Sequence, residues 1–144
     1  MSATADTPGW IADILSWPWL LRVSRVVLVS AFLVGGIQKL ADFPGAVAEQ
    51  AHFGLQPAWL WAAAAIVVEL GGSVLVMLGR WVWLGAGGLG VLTAVAMLAA
   101  NDFWAKNGHD RFMAANAFFE HLGLIAGLVL ISVLSLREQG AKLQ

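Results

Sequence analysis

One carboxylate stands inside a run of residues that are otherwise apolar or small. Glu69 lies in AIVVELGGSVLV, which covers residues 65–76. If this run crosses a membrane, the charge is costly, because Asp, Lys or Arg at the centre of a membrane helix costs about 2.5–3.5 kcal/mol on insertion scales. We therefore expect Glu69 to face the interior of a helix bundle. There it pairs with Lys39, donates from its protonated form to a backbone carbonyl, or contacts a ligand.

Other polar residues are expected to lie together near one end of such a bundle. Lys39 ends the first apolar segment and Asn101 follows the third, while Glu120 and His121 begin the fourth. For Lys39, the default interpretation is that its ammonium reaches the outer lipid headgroups. For Glu120 and His121, the default interpretation is a salt bridge to Lys39 or Arg111 that fixes helix pairing.

The same residue types also suit a binding site for a quinone or a similar small ligand. Such a site needs an apolar cleft and a donor or proton-exchanging group for each carbonyl. The polar side chains that can supply these groups are Gln38, Lys39, Glu69, Asn101, Glu120 and His121. Trp59 or Trp104 can stack on the ring. The sequence assigns no catalytic residue.

Several other chemistries find no support in the sequence. The chain has no cysteine, so it cannot by itself form a disulfide, a thiolate nucleophile or an iron–sulfur cluster. No metal site is predicted, because no two of His52, His109 and His121 have i, i+4 spacing. A net charge of −1 offers no basic patch for nucleic acid. No hydrolase, P-loop or dinucleotide-binding motif is present.

The composition indicates the elements that must position these residues. The chain of 144 residues is 60% hydrophobic and 12% charged, with a mean hydropathy of +0.78, whereas soluble domains carry about 25% charged residues. Four segments approach the roughly 20 apolar residues that span a bilayer: 22–40, 58–79, 82–100 and 117–136. The prediction is an all-α integral membrane four-helix bundle that forms a single domain, 1–144. A short N-terminal helix in GWIADILSWPWLL is expected to lie in the membrane interface.

The positive charges predict the orientation. Lys and Arg are retained in short cytoplasmic loops, and with both termini cytoplasmic the inner set is Arg22, Arg25, Arg80, Arg137 and Lys142. The outer set is then smaller and consists of Lys39, Lys106 and Arg111. A cleaved signal peptide that ends at Ala46-Val47-Ala48 is the alternative for the N-terminal part. It is disfavoured because Lys39 lies between the apolar run and that site.

Small residues at helical spacing are expected to let the spans pack closely. In the second span Ala62, Ala65, Gly72 and Ser73 share a stripe with Glu69. In the third and fourth spans the corresponding residues are Gly87, Gly90, Ala94, Gly123 and Gly127. These stripes predict a tightly packed bundle.

Three motifs in this order resemble one protein family. The first span leads with arginine and ends in Gly-Gly-x-x-Lys, from Arg25 to Lys39. The second contains Glu-x-Gly-Gly and a later Gly-Arg, from Glu69 to Arg80. An Asp-Phe-Trp turn at 102–104 follows the third. Over about residues 22–131 the chain resembles the DoxX family. The resemblance implies a bacterial inner-membrane protein. Its wider superfamily includes the small membrane subunit of thiosulfate:quinone oxidoreductase and a protein needed for methylamine dehydrogenase maturation. Family members often have His at position 101 and Lys-Asn at 120–121, so this chain departs from them there.

Three functions are consistent with these observations. The first is a subunit or accessory of a membrane redox system, with a quinone or small-molecule site in the outer half of the bundle. The second is a non-catalytic scaffold that binds a larger membrane complex or its own copies. The third is a small-solute transporter, which would have to dimerise because four helices are few for alternating access.

Overall fold

The computed structural model describes residues 7–141, and within that range all regular structure is helical. The helices are α1 Gly9–Leu15, α2 Leu20–Ala41, α3 Phe43–His52, α4 Ala58–Leu78, α5 Val82–Ala100 and α6 Gly108–Ala141, with a 3₁₀ turn at Phe103–Ala105. Helices α2, α4, α5 and α6 are long and apolar enough to cross a membrane. The predicted all-α membrane bundle is therefore confirmed. Lys142, which the orientation prediction uses, lies outside the described residues.

The four long helices pack in chain order. Helix α2 packs on α4, α4 on α5 and α5 on α6, while a smaller contact joins α6 back to α2. We name the two ends of the bundle by their charged residues. At the Lys39 end α2 finishes and α4 begins, and at the Arg25 end α2 begins and α6 finishes.

The apolar core lies closer to the Arg25 end. It consists of Val29, Val76, Val82, Ala86, Leu89, Leu128 and Ile131. At the Lys39 end the bundle is covered by the short helix α3, which packs against α4. The two halves of the bundle are therefore closed in different ways.

A tight connection joins α4 to α5, as the short interval between the predicted spans 58–79 and 82–100 requires. The Gly79 N–H donates to Val76 O at 3.1 Å and the Arg80 N–H donates to Leu75 O at 3.2 Å, which is the Schellman arrangement of a helix C-terminus. Gly79 has a φ of +68°, a conformation that costs an L-residue steric strain. This glycine ends α4 and lets α5 return beside it.

The glycines of the spans divide into two groups. A Cβ on Gly85 would lie 2.7 Å from Gly72 O, and one on Gly127 would lie 3.1 Å from Leu28 Cδ1, so these positions permit close helix contacts. The packing prediction is wrong for Gly87, Gly90 and Gly123, where an added Cβ would meet no atom within 4 Å. Those three glycines border open space on the outside of the described bundle.

Two helical segments differ from the prediction. Helix α3 forms in the expected connection, where the Asp42 side chain accepts a hydrogen bond from the Gly45 N–H at 3.0 Å and Pro44 occupies the first turn. Helix α6 begins at Gly108 instead of position 117, so much of the connection expected between the third and fourth spans is helical. Its 34 residues span about 51 Å at about 1.5 Å per residue, longer than a hydrocarbon core of about 30 Å. A helix need not end where its sequence becomes polar, because water-exposed turns tolerate charged side chains.

The N-terminal helix is present at Gly9–Leu15. Its position in the membrane interface stays a prediction. The alternative cleavage site falls inside α3, where Ala46 is buried.

Candidate functional site

An ion pair joins α2 to α4 near the Lys39 end. The Lys39 ammonium lies 3.0 Å from Glu69 Oε1 and 3.2 Å from Oε2. The side chains are only 21% and 11% exposed, respectively. The default interpretation of Lys39 is therefore wrong, because its ammonium turns inward to the Glu69 carboxylate. Of the three alternatives for Glu69, the structure shows pairing with Lys39.

The two glycines that precede Lys39 explain how the pair forms. A Cβ on Gly36 would lie 2.8 Å from Leu70 Cδ2 and 3.1 Å from Glu69 Cβ, so only a glycine lets α4 approach α2 this closely. Gly35 lies one turn before Lys39, and its Cβ position is 3.6 Å from the Lys39 ammonium. The lysine side chain thus folds back over Gly35 to reach the carboxylate. Gly-Gly-x-x-Lys is a packing motif with a charged end.

The orientation of Glu69 follows from its own helix. Ala62, Ala65, Gly72 and Ser73 are buried on the same face of α4. Small side chains at one-turn intervals allow the neighbouring helices to come close on that face. The predicted stripe is confirmed, and it places the carboxylate inside the bundle.

A cavity of about 260 Å³ opens beside the ion pair. Its polar lining residues are Lys39, Glu49, Gln50, Glu69, Asn101 and His121. Its apolar walls come chiefly from α4 and α5 and include Trp61, Ala65, Leu92, Val95 and Ala96. One space therefore collects both charge signs, two amides and an imidazole against an apolar wall.

The imidazole of His121 is held by its own helix. Its Nδ1 lies 2.5 Å from Ala117 O. A carbonyl oxygen only accepts, so Nδ1 donates the proton in this contact, and Nε2 is an acceptor when the ring is neutral. His121 can therefore exchange a proton through Nε2 while its ring stays fixed.

The structure brings together half of the residues that the sequence proposes for the site. Lys39, Glu69, Asn101 and His121 line the cavity. Gln38, Trp59, Trp104 and Glu120 do not line it. Each of these four side chains is exposed and is adjacent in sequence to a less exposed residue.

Helix geometry accounts for these divisions. Adjacent helical residues differ by about 100° in direction, so Gln38 points away from Glu69 while Lys39 reaches it. Glu120 is likewise exposed beside His121. The expected salt bridge of Glu120 does not form within the described residues.

The two tryptophans have other surroundings. Trp59 is 59% exposed, and Trp61 on a different face of α4 lines the cavity in its place. The ring of Trp104 packs edge-on against Phe103 and Phe118, with centroids 5.3 Å and 6.2 Å apart. This aromatic cluster joins the 3₁₀ turn to α6.

Glu49 and Gln50 are lining residues that the sequence analysis missed. Both belong to α3, which hydropathy alone does not reveal because its sequence is not continuously apolar. A signal was nevertheless present, since Asp42 followed by a first-turn Pro44 is typical of a helix N-terminus. Within residues 7–141, no cluster of three His, Asp or Glu residues could hold a metal ion.

Comparisons with known proteins place these features in a family context. The family model DoxX matches residues 20–102, more than half of the chain. The inner membrane protein YphA of Escherichia coli (strain K12) is 34% identical over 62 residues, which cover 43% of this chain and 44% of that protein. The chain thus spans less than half the length of this relative. No solved structure matches it significantly. The matched family segment contains the Lys39–Glu69 pair and ends just after Asn101.

Proposed function

The chain belongs to the DoxX family, and from this premise we propose that it is a bacterial inner-membrane protein that binds a quinone-like ring as a subunit or accessory of a membrane redox system. The name of the similar Escherichia coli protein supports the location. The observation that carries the ligand proposal is the Lys39–Glu69 pair, which lines a cavity together with Asn101 and His121. The proposal assigns binding to this chain and no turnover.

The polar groups suit a ring with two carbonyl oxygens. An ammonium has three protons, and those of Lys39 are engaged only by the Glu69 carboxylate among the described residues. The side-chain amide of Asn101 makes no hydrogen bond within the described residues, so its donor is available. Lys39 and Asn101 can thus each donate to a carbonyl, while Glu69 and His121 can exchange protons.

The size of the cavity favours a single ring over a large ligand. At about 260 Å³ it lies just below the about 300–1,000 Å³ of typical ligand pockets. A second apolar groove of about 340 Å³ lies between α4 and α5 and shares Trp61, Leu92 and Val95 with the cavity. An isoprenoid tail can therefore leave the cavity along this groove toward lipid.

Quinone binding is tested with the intact protein in a mild detergent. Lipid extracts of the purified protein are analysed for quinone by mass spectrometry, and a short-chain ubiquinone is titrated into protein stripped of quinone. We expect saturable binding that Glu69→Gln weakens at least tenfold, because the amide can no longer hold the ammonium as a carboxylate does. Glu120→Gln is the matched control, since Glu120 is exposed beside His121 and does not line the cavity.

Two results would contradict the proposal. One is the absence of both copurified quinone and saturable binding by the wild-type protein. The other is equal affinity of the Glu69→Gln and Glu120→Gln variants at unchanged thermal stability. In either case the cavity would serve a different ligand or none.

A further inference from the structure

A second buried cation lies at the opposite end of the bundle. The Nη2 of Arg25 donates to Ser135 Oγ at 2.8 Å and to Glu138 Oε2 at 2.7 Å, which joins α2 to α6. The Arg25 side chain is only 9% exposed, whereas that of Glu138 is 43% exposed. The guanidinium is thus held inside the protein by one hydroxyl and one half-exposed carboxylate.

The guanidinium has donors to spare. Its Nε is buried and has no hydrogen-bond partner among the residues that the structure describes. Its Nη1 also donates to no acceptor within residues 7–141, and it faces Gly79, whose Cβ position would lie 2.7 Å away. A buried donor without an acceptor is uncommon in folded proteins and unfavourable. An acceptor that enters beside Arg25 would relieve this deficit.

There is room for such an acceptor. A cavity of about 470 Å³ is lined by Pro18, Arg22, Arg25, Gly79, Glu138 and Gln139, among others. Its charged lining groups are two guanidinium ions and one carboxylate, so their sum is +2 − 1 = +1. Arginine is the residue best suited to phosphate oxygens because of its planar set of donors. The cavity therefore favours an anion such as a phosphate group.

The charged cavity continues into an apolar track. It shares Ser135 and Gln139 with a space of about 280 Å³ that Val82 and Trp83 also line. That space shares Trp83, Ser132 and Val133 with a groove of about 460 Å³ between α5 and α6. The groove floor includes Gly87 and Gly90, whose missing side chains leave it open.

The track has the length of one lipid leaflet. Along α6 it runs from Ser135 to Ile125, which is about 15 Å at about 1.5 Å per residue. Half of a hydrocarbon core of about 30 Å is the same distance. At the charged end Trp17, Trp19, Trp81 and Trp83 are exposed, and exposed tryptophans are typical of the headgroup level. A polar pocket thus lies at headgroup level above a groove as long as an acyl chain.

We propose that this end of the protein binds one anionic phospholipid, with its phosphate at Arg22 and Arg25 and an acyl chain in the groove between α5 and α6. The continuity of charge and groove favours a lipid over free phosphate, which would leave the groove unused. It also favours a lipid over a second copy of the chain, whose apolar helix face would offer no acceptor to the spare donors of Arg25 and no anion to Arg22.

The headgroup interaction is tested by native mass spectrometry of the full chain in mild detergent with added short-chain phosphatidylglycerol or phosphatidylcholine. We expect one phosphatidylglycerol per chain, bound several-fold more tightly than phosphatidylcholine. Arg22→Gln is expected to weaken phosphatidylglycerol binding about fivefold, as for the loss of one cation at an anionic membrane surface. Arg137→Gln is the matched control, because Arg137 is exposed at the same end and does not line the cavity. Equal effects of these two variants would overturn the proposal, as would equal affinity for the two lipids.

The acyl-chain groove is tested by filling it. Gly90→Leu places a side chain in the groove without meeting any protein atom within 4 Å at its Cβ, and we expect it to weaken phosphatidylglycerol binding at least fivefold. Gly71→Leu is the control, since a Cβ at the helical Gly71 would likewise meet no atom within 4 Å but Gly71 does not line the track. If Gly90→Leu binds phosphatidylglycerol like wild type and millimolar inorganic phosphate displaces the lipid, the ligand is free phosphate and the lipid assignment is wrong.

Discussion

The two ends of the bundle each hold an ion pair between helices, but the pairs are shielded from water in different ways. At the Lys39 end both partners are shielded, with exposures of 21% for Lys39 and 11% for Glu69. At the Arg25 end only the cation is shielded, because Glu138 is 43% exposed. Water can therefore hydrate the Glu138 carboxylate at the Arg25 end, whereas both partners at the Lys39 end are largely shielded from it.

The residues around the two pairs differ as well. The Arg25 pair lies beside the packed apolar core, which includes Val29, Val76 and Leu128. The Lys39 pair borders a cavity that collects further polar groups. Both pairs join two helices and line a cavity, but only the cavity at the Lys39 end also contains an imidazole and a second carboxylate beside its pair. We therefore expect the two ends to respond differently to substitution.

The largest effect is expected when the Lys39 end loses its cation. Lys39→Met leaves the Glu69 carboxylate buried without a partner, and breaking a buried pair in this way costs about 3–5 kcal/mol of unfolding free energy. Equilibrium unfolding in mixed micelles measures this change. The double variant Lys39→Met/Glu69→Leu should recover most of the loss, because replacing both partners by apolar residues is often neutral. Equal losses in the single and double variants would show that the buried charge is not the cause.

Replacing the glycine beside each pair by alanine is expected to change stability less, and in opposite directions at the two ends. Gly79→Ala is expected to destabilise by about 2 kcal/mol, because alanine at a φ of +68° is strained and its Cβ would lie 2.7 Å from Arg25 Nη1. Gly35→Ala should instead stabilise by about 0.5–1 kcal/mol, as expected for alanine within a helix. Its Cβ would make only ordinary contacts at 3.6 Å with Glu69 and Lys39. Thermal unfolding of the two variants in parallel provides the measurement. If both variants shift stability in the same direction, the contacts assigned to Gly35 and Gly79 are wrong.

A weaker effect on stability is expected from the half-exposed acid at the Arg25 end. Glu138→Gln should cost about 1 kcal/mol or less, because Arg25 keeps its bond to Ser135 and exposed ion-pair partners contribute little. The same change removes a negative charge from the proposed phosphate pocket. Phosphatidylglycerol should therefore bind more tightly to Glu138→Gln than to wild type in native mass spectrometry. Weaker lipid binding would mean that Glu138 orients Arg25 for the lipid and does not compete with it.

The sequence identifies the inward-facing acid because the pattern is local. Glu69 shares a helical stripe with Ala62, Ala65 and Gly72, and all four are buried. The spans are predictable for the same reason, since a membrane helix must be apolar over most of its length. Helix α3 and the start of α6 lie outside such runs, and their stability depends on caps and on contacts with α4 that hydropathy does not measure.

The partner of Glu69 is less predictable, because it depends on tertiary geometry. Lys39 lies near the end of α2, and only the close approach at Gly36 brings its folded side chain to the carboxylate. The choice between Trp59 and Trp61 has a similar origin, since it is set by how α4 turns toward its neighbours. The sequence contains the chemically relevant residue types at the right depth, but the rotation of each helix selects which ones meet.

The smallest effect is expected from a third ion pair, which isolates burial as the variable. Lys106 lies 2.9 Å from Asp102 Oδ1, a distance as short as that of the Lys39–Glu69 pair, but the side chains are 36% and 42% exposed. Lys106→Met is therefore expected to leave the unfolding free energy unchanged within measurement error, because exposed pairs gain little over their hydrated ions. The same substitution is destabilising at Lys39, so the difference between the two lysines cannot come from pair distance or from the methionine introduced.

Any residual effect at Lys106 should vanish in about 1 M salt, where the screening length is about 3 Å, while the loss at Lys39 should persist because solvent ions do not reach it. If salt removes both effects, the Lys39–Glu69 pair is open to water, and its contrast with the surface pair disappears.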